Sequence, residues 1–316
     1  MEETGKLSIG IDISQDQLDM AAYPTGQIWK YAHNRHGIAK IVAKLETLQP
    51  HIIVMEATGG MERPLKEALD GVGLPVAVIN PKRIRDYGRS LGELAKTDKI
   101  DASVMAHFAA KMEPTPQPAR QPEELSLDSL VTRRQQLNDM LMAERNRLRE
   151  YLALSVQVDI RDHIAFLEGK LQGLDKQLKE TVKENPVFKA KSDLYQSMRG
   201  VGAVLSWTLL AKLPELGQLN QREIGALVGL APMNKDSGKY RGKRFIQGGR
   251  GMVRKSFYMP VLSAIRFNPP ITALYQRLIA RGKLQKVALA ACMHKMLTVL
   301  NSMVKHNTPW QESFAR

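Results

Sequence analysis

Four acidic residues have the types and the spacing that metal-dependent chemistry requires. Asp12 lies inside an alternating apolar run, Glu56 ends a second apolar run, and Asp98 and Asp101 are three residues apart. A carboxylate in a core strand is costly to bury unless it is paired or binds a metal. Two divalent cations about 3.5–4 Å apart need several oxygen ligands, and such pairs of cations promote phosphodiester cleavage. The four acids together therefore predict a two-metal site.

Three of the acids also have a structural interpretation. Asp12 could end its strand and cap a turn with Ser14, Asp98 could cap a helix, and Asp101 could be an ordinary exposed acid on that helix. The remaining composition bears on which metal would bind. Cys292 is the one cysteine, and the seven histidines are scattered along the chain. The ligands would therefore be hard oxygens, which select Mg²⁺ or Mn²⁺.

A cationic, glycine-rich segment near the C-terminus supplies the second group of candidates. Asp236-Ser237-Gly238 would be an ordinary turn by itself, but lysines and arginines surround it. Residues 237–316 contain 15 Lys and Arg against one acid, Glu312, so they carry the whole net charge of +14. This distribution is typical of a protein that binds a polyanion. The predicted nucleic-acid contacts in this segment are Lys239, Arg241, Lys243, Arg244, Arg250, Arg254 and Lys255.

A sheet with flanking helices must position the acids. Alternating or continuous apolar runs predict the elements, which in chain order are strands 7–14, 17–23 and 27–32, helix 38–48, strand 51–56, helix 61–69 and strand 74–79. This order is that of a ribonuclease-H-like α/β fold. Right-handed crossovers would place the first strand beside the fourth and bring Asp12 near Glu56. A basic loop or short helix over 82–95 would follow, and then a helix that opens within residues 96–102 and continues to about residue 112.

The rest of the chain is predicted to be helical. Residues 160–178 have a heptad apolar repeat, and a break over 155–159 would give an antiparallel helical hairpin that pairs within the chain or joins subunits. Farther on, Arg199-Gly200-Val201-Gly202 between two helices predicts a helix-hairpin-helix-like turn. Its residues Arg199, Gly200 and Gly202 could approach a phosphate at the following helix N-terminus.

Several of these motifs occur together in a fixed order. They are Ile9-Gly10-Ile11-Asp12, Glu56-Ala57-Thr58-Gly59, Thr97-Asp98-Lys99-Ile100-Asp101-Ala102, Gly229-Leu230-Ala231-Pro232, Ser237-Gly238-Lys239, Arg241-Gly242 and Tyr258-Met259. The set resembles the DEDD-type transposases of a bacterial insertion-sequence family, which also includes a pilin-gene DNA invertase. The resemblance covers nearly the whole chain and preserves the order and spacing of the motifs.

The resemblance implies a fold and a mechanism. The fold is an N-terminal RuvC-like, ribonuclease-H-like domain, a coiled-coil arm and a mainly α-helical C-terminal transposase domain. The activity is Mg²⁺-dependent excision and insertion of an element through a circular intermediate. Asp12, Glu56, Asp98 and Asp101 match the metal-binding tetrad, and Ser237 matches a serine nucleophile that links covalently to DNA. Ser256 is the alternative serine.

The same resemblance implies partners. Members of the family use a structured noncoding RNA, encoded by the element, that pairs with target and donor DNA. They assemble as dimers and tetramers, with the carboxylates of one subunit facing the serine of another. Two other functions remain compatible with the residues themselves: a junction-resolving, metal-dependent endonuclease, which needs only the acids and water, and a non-catalytic nucleic-acid-binding scaffold.

The sequence also predicts domain boundaries and location. We expect a catalytic domain over 1–113, a proline-rich linker over 114–122, a helical arm over 123–190 and a basic domain over 191–316. No apolar run of membrane-spanning length and no signal-peptide pattern is evident. One cysteine fits a reducing compartment. The expected location is the bacterial cytoplasm, in association with the nucleoid.

Overall fold

The structure is a computed structural model that divides the chain into two compact units, Met1–Gln121 and Pro122–Arg316. It describes residues 6–92, 98–150, 153–234, 236–238, 240–242 and 244–311, and at positions 98, 99, 236, 237, 240 and 241 it describes the backbone alone. Lys239 and Lys243 therefore lie outside the described residues, as do the side chains of Asp98, Ser237 and Arg241.

The described part of the first unit is an α/β structure with five strands and four helices. Its elements are β1 (Ser8–Ile13), β2 (Gln17–Tyr23), β3 (Ile28–Ala32), α1 (Arg35–Leu48), β4 (Ile52–Glu56), α2 (Arg63–Gly71), β5 (Val76–Ile79), α3 (Pro81–Ser90) and α4 (Asp98–Met112). The strand order across the sheet is β3-β2-β1-β4-β5. β1, β2 and β3 pair antiparallel, whereas β4 is parallel to both β1 and β5. This sheet confirms the predicted meander and is compatible with a ribonuclease-H-like fold.

The two faces of the sheet are covered by different helices. Ile9 and Ile11 pack in one apolar cluster with Ile41 of α1. On the opposite face, Val54 packs in a second cluster with Phe108 of α4. Successive residues of a strand point to opposite faces of the sheet. Alternate residues therefore face α1 and α4 in turn.

The segment after β5 is more regular than the predicted loop or short helix over 82–95. Asn80 caps α3 by accepting a hydrogen bond from the Lys82 backbone N–H, and Pro81 occupies the first turn, where proline is favoured. The predicted linker has no helix or strand over 114–121. Within it, the Gln117 N–H donates to the Val76 carbonyl at 2.8 Å, and its side-chain amide pairs with Val78. Gln117 therefore covers the open edge of β5.

The described part of the second unit is mainly helical. Its helices are α5 (Pro122–Arg147), α6 (Leu154–Glu184), α7 (Pro186–Gln196), α8 (Ala203–Lys212), α9 (Gln221–Val228), α10 (Gly251–Ser256), α11 (Tyr258–Phe267), α12 (Pro269–Ala280) and α13 (Gln285–His306). Four two-residue strands, β6 (Pro232–Met233), β7 (Asp236–Ser237), β8 (Tyr240–Arg241) and β9 (Phe245–Ile246), lie between α9 and α10.

Helices α5 and α6 form an antiparallel hairpin, hereafter the arm. Arg134 pairs with Asp175, and Arg145 pairs with Glu168. Later residues of α5 thus contact earlier residues of α6, as in an antiparallel pair. The predicted break over 155–159 is wrong, because those residues belong to α6. The β-branched valines there reduce helix propensity only slightly. The chain reverses instead between Arg147 and Leu154.

Helix α13 is the central element of the second unit. By length and composition it could cross a membrane, contrary to the expectation that no such run exists. Met296, Leu297 and Leu300 are completely buried, and they belong to an apolar cluster with residues of α8, α9 and α11. The apolar character of α13 is therefore explained by its place in the core.

Candidate active site

Asp12 and Glu56 occupy equivalent positions on neighbouring parallel strands. The last paired residues of β1 and β4 are Ile11 and Met55, and Asp12 and Glu56 come directly after them. By the alternation of the strands, Asp12 is on the same face as Gly10, and Glu56 is on the same face as Val54. Both acids therefore lie at the carboxyl ends of their strands and on the face that α4 covers.

Helix α4 approaches the sheet closely because residue 10 is glycine. A Cβ atom added to Gly10 would lie 2.3 Å from both the Ala102 carbonyl oxygen and the Ala106 nitrogen. Asp101 immediately precedes Ala102, on the part of α4 that lies against β1. The part of this helix that directly follows Asp101 is therefore held close to the strand that carries Asp12.

The direction of α4 places its acids toward the same end of the sheet as Asp12. Lys111, near the end of α4, lies 5.8 Å from the centre of the Tyr23 ring. Tyr23 pairs with Ser8, the first residue of β1. Helix α4 thus runs opposite to β1, and its beginning, with Asp101 and the backbone of Asp98, lies toward the end that bears Asp12.

The predicted acids offer the type of donor atom that a hard divalent cation prefers. Asp12, Glu56 and Asp101 are all half-buried, and the Asp12 Oδ1 accepts a hydrogen bond from the Ile13 N–H at 3.1 Å. Among the described side chains, which do not include that of Asp98, no three His, Cys, Asp or Glu residues form a ready-made metal cluster. Carboxylate oxygens are ligands that Mg²⁺ accepts, so the type of donor is suitable, but the described side chains of Asp12, Glu56 and Asp101 do not by themselves form a metal-binding group.

A fifth acid, Asp19, was missed in the sequence. It pairs directly with Asp12 across β1 and β2, and it is 1% exposed. Lys30 on β3 lies opposite Asp19, with its Nζ 3.1 Å from Asp19 Oδ1. Glu56, Asp12, Asp19 and Lys30 therefore form one charged row across four strands. The polar residues Gln17 and Asp19, alternating with apolar ones, were the signal that could have found this row.

The backbone of Ser237 lies at the tip of a double hairpin. β7 pairs with β8, with Ser237 opposite Tyr240, and Gly238 has a φ of 56° at the turn between them. β6 pairs with β9 and forms the base of the hairpin. We call residues 232–246 the serine loop.

Arg254 holds the two ends of the serine loop together. Its Nη1 donates to the Gly248 carbonyl at 2.6 Å and to the Gly229 carbonyl at 3.3 Å. Gly229 has a φ of 77°, and a Cβ atom there would lie 2.3 Å from the Gly248 oxygen. Close packing of glycines and one guanidinium therefore fixes the base from which Ser237 projects.

Two of the predicted nucleic-acid contacts thus have protein partners. Arg250 makes two hydrogen bonds to the Glu215 carboxylate, at 2.5 and 2.6 Å, and Arg254 binds the loop carbonyls. A phosphate would have to compete with these pairs. Arg244 and Lys255 are exposed.

The two glycines of the helix-hairpin-helix-like turn have different surroundings. Gly200 has a φ of 101°, and a Cβ atom there would lie 2.8 Å from the Ala264 Cβ, so this glycine permits close packing against α11. Gly202 is the exposed N-cap of α8, with nothing within 4 Å of its missing Cβ. Arg199 is exposed, and its carbonyl accepts a hydrogen bond from Asn268.

Other nucleophile candidates in the second unit are less suitable. Ser256, the alternative serine, lies within α10 and donates its hydroxyl to the Val253 carbonyl at 2.7 Å. Burial raises the pKa of the Cys292 thiol to about 11 and the pKa of the Tyr195 hydroxyl to about 12. A buried thiol with a raised pKa is a poor source of thiolate.

An acid-bearing α/β unit joined to a helical, cationic unit is compatible with an enzyme that acts on DNA, and comparisons with known proteins give the class, a DNA recombinase. Residues 9–156 match a transposase family model of the DEDD, IS110 type, and residues 192–276 match the model described as the transposase IS116/IS110/IS902 family. The chain belongs to the IS110-type DEDD transposase family. The family predicted from the sequence motifs is thereby confirmed.

Curated relatives extend over the full length of the chain. The pilin gene-inverting proteins of Moraxella lacunata and Moraxella bovis are each 27% identical to it, over 319 and 318 residues. Both alignments cover 97% of this chain and 98% of the relative. The similarity therefore includes both units.

Proposed function

We propose that this protein excises and inserts an insertion element, with Mg²⁺ or Mn²⁺ held by Asp12, Glu56, Asp98 and Asp101. The observation that carries the proposal is the placement of Asp12 and Glu56 at neighbouring strand ends, under the helix that bears Asp101. When bound, the cations would activate an attacking oxygen and stabilise charge on the leaving oxygen. The carboxylates themselves would orient the cations and compensate their charge.

Ser237 is the proposed nucleophile. Its Oγ would form a bond to phosphorus while one phosphorus–oxygen bond of the DNA breaks. The serine proton would leave, and the departing DNA oxygen would become a hydroxyl. The phosphoserine ester conserves the energy of the broken linkage, so attack by another DNA hydroxyl can rejoin strands and release the serine. The tip position of Ser237 in the serine loop supports this role, because a phosphodiester must reach the hydroxyl.

Target selection is the third part of the proposal. An element-encoded noncoding RNA would pair with target and donor DNA, and the protein would act as a dimer that assembles into a tetramer. The excess of cations over residues 237–316 supports binding of both nucleic acids through their phosphates.

The test is the fate of the DNA strand on a denaturing gel. Wild-type protein with element-end DNA, guide RNA and Mg²⁺ should give a protein–DNA adduct, and Ser237→Ala should give none. Ser256→Ala is the matched control and should retain the adduct, because that hydroxyl is engaged within α10. Asp12→Asn and Glu56→Gln should each reduce adduct formation by at least 100-fold, on the order of the loss of other preorganised electrostatic groups.

The alternatives give other patterns. DNA cleavage without an adduct in the wild type would identify a junction-resolving endonuclease. DNA cleavage that survives Asp12→Asn would show that the acids do not take part in the reaction. DNA binding with no cleavage under any condition would identify a non-catalytic scaffold. An adduct that persists in Ser237→Ala and disappears in Ser256→Ala would transfer the nucleophile to Ser256.

A further inference from the structure

Helix α3 carries a stripe of cations on its exposed side. Lys82, Arg85 and Arg89 are at positions i, i+3 and i+7 and are all exposed, whereas Ile84 and Gly88 are buried. Residues at this spacing share one side of a helix. With a rise of about 1.5 Å per residue, the stripe is about 10 Å long.

The stripe begins at the carboxylate end of the sheet. Pro81, the first residue of α3, follows Ile79 by two positions, and Ile79 pairs with Glu56. The Tyr87 hydroxyl of α3 lies 2.8 Å from the Nδ1 of His107 in α4, and this contact joins the two helices. Helix α3 therefore lies beside α4, on the face of the sheet where the acids project.

Helix α3 carries a net positive charge, whereas the unit that contains it has equal numbers of acidic and basic residues. Residues 1–121 contain 15 Lys and Arg and 15 Asp and Glu, whereas residues 81–89 contain four cations and one acid, Asp86. Arg89 lies 3.9 Å from Asp86, and both side chains are more than half exposed, so this pair contributes little. No ion pair is described for Lys82 or Arg85. Carboxylates within the described structure thus do not account for these two cations.

We infer that α3 binds the phosphate backbone of the DNA strand that flanks the cleaved bond. The inference rests on the proposed function only in assigning the cleavage to the neighbouring acids. A stripe about 10 Å long can contact two neighbouring phosphates of one strand. DNA is the partner rather than RNA, because the strand cut at the carboxylates must pass this end of the sheet. The cations also offset repulsion between the DNA and the nearby acids.

The test compares two double variants of the full-length protein. Lys82→Gln/Arg85→Gln removes two charges from α3, and Arg35→Gln/Lys40→Gln removes two exposed charges from α1, on the opposite face of the sheet. Affinity for duplex DNA carrying an element end is measured at several salt concentrations in EDTA. Each phosphate contact contributes about 0.9 to the slope of log affinity against log salt, so the α3 variant should lose about 1.8 and the α1 variant much less.

Three outcomes would overturn the inference. Equal salt slopes for the two variants would show that only the net charge of the protein matters. A salt slope unchanged from the wild type in the α3 variant would show that α3 does not contact the phosphates. Loss of affinity for single-stranded RNA with unchanged affinity for DNA would assign the stripe to RNA. Thermal unfolding of both variants should match the wild type, because the substituted side chains are exposed. A wild-type protein that binds DNA but forms no adduct would contradict the proposed chemistry and leave this inference standing.

Discussion

At the scale of single residues, Asp12 and Asp19 present a problem of charge. They lie directly opposite each other on β1 and β2, and like charges at such a pair destabilise a sheet. Lys30, which pairs with Asp19 from the next strand, supplies the compensating cation. The like charge opposite Asp12 is then compensated, at the end of the sheet where the proposed cation would bind. The row of charges depends on the exact register of the four strands.

We predict that Lys30→Met destabilises the first unit by about 1–3 kcal/mol, because the substitution leaves the buried Asp19 carboxylate without its ion pair. The double variant Lys30→Met/Asp19→Asn should recover much of that loss, since it removes the uncompensated charge. Urea unfolding at equilibrium measures both. A single variant as stable as the wild type would contradict the compensating role of Lys30.

At the scale of elements, the contact between α4 and β1 determines where the acids meet. The contact depends on the absence of a side chain at Gly10, whose missing Cβ would touch the backbone of Ala102 and Ala106. A larger residue would push the helix away, and with it Asp101. The serine loop shows the same dependence on close approach, since Gly229 and Arg254 close its base.

We predict that Gly10→Ala destabilises the protein by about 1–3 kcal/mol through overpacking and weakens Mn²⁺ binding by displacing α4. The matched control is Gly71→Ala at the end of α2, where a Cβ atom would have nothing within 4 Å. The control should be neutral or stabilising by up to about 1 kcal/mol, because alanine reduces the entropy of the unfolded chain. Calorimetric titration with Mn²⁺ and thermal unfolding report the two effects. Tight Mn²⁺ binding by a folded Gly10→Ala protein would argue against the placement of α4 as a requirement for the site.

At the scale of the whole molecule, the arm has apolar surface that its own hairpin leaves exposed. Leu137, Leu141, Leu167 and Leu171 form the cluster between α5 and α6. Outside it, Leu154 is 78% exposed and Phe166 is 58% exposed. Exposed apolar side chains of this size near one end of an arm are suited to contact with a second copy of the chain.

We predict that Phe166→Glu lowers the mass of the assembled protein in solution, because a charge would enter the proposed contact between arms. Gln172→Glu, which adds a charge at another exposed position of α6, is the control and should leave the mass unchanged. Light scattering coupled to size-exclusion chromatography gives the mass of each. A monomeric wild type, or equal masses for all three proteins, would contradict assembly through this surface.

The sequence alone determined the strands of the five-stranded sheet, the candidate acids, the family and the segregation of charge. Strand alternation, apolar runs and proline breaks are local properties, so the sheet was predicted to within a few residues at each end. The acids stood out because Asp12 and Glu56 occupy runs that are otherwise apolar. The concentration of cations after residue 236 is a matter of composition.

Only the tertiary structure decided which of these residues meet. Asp19 joined the row of charges because the register of the β1–β2 pair places it opposite Asp12, and a shift of one residue would have turned it to the other face of the sheet. Arg250 and Arg254 acquired protein partners because Glu215 and the loop carbonyls are close in space but remote in sequence. The helix over 81–90 acquired its significance by packing on α4. Close packing and long-range pairing depend on the whole fold, and no window of sequence contains them.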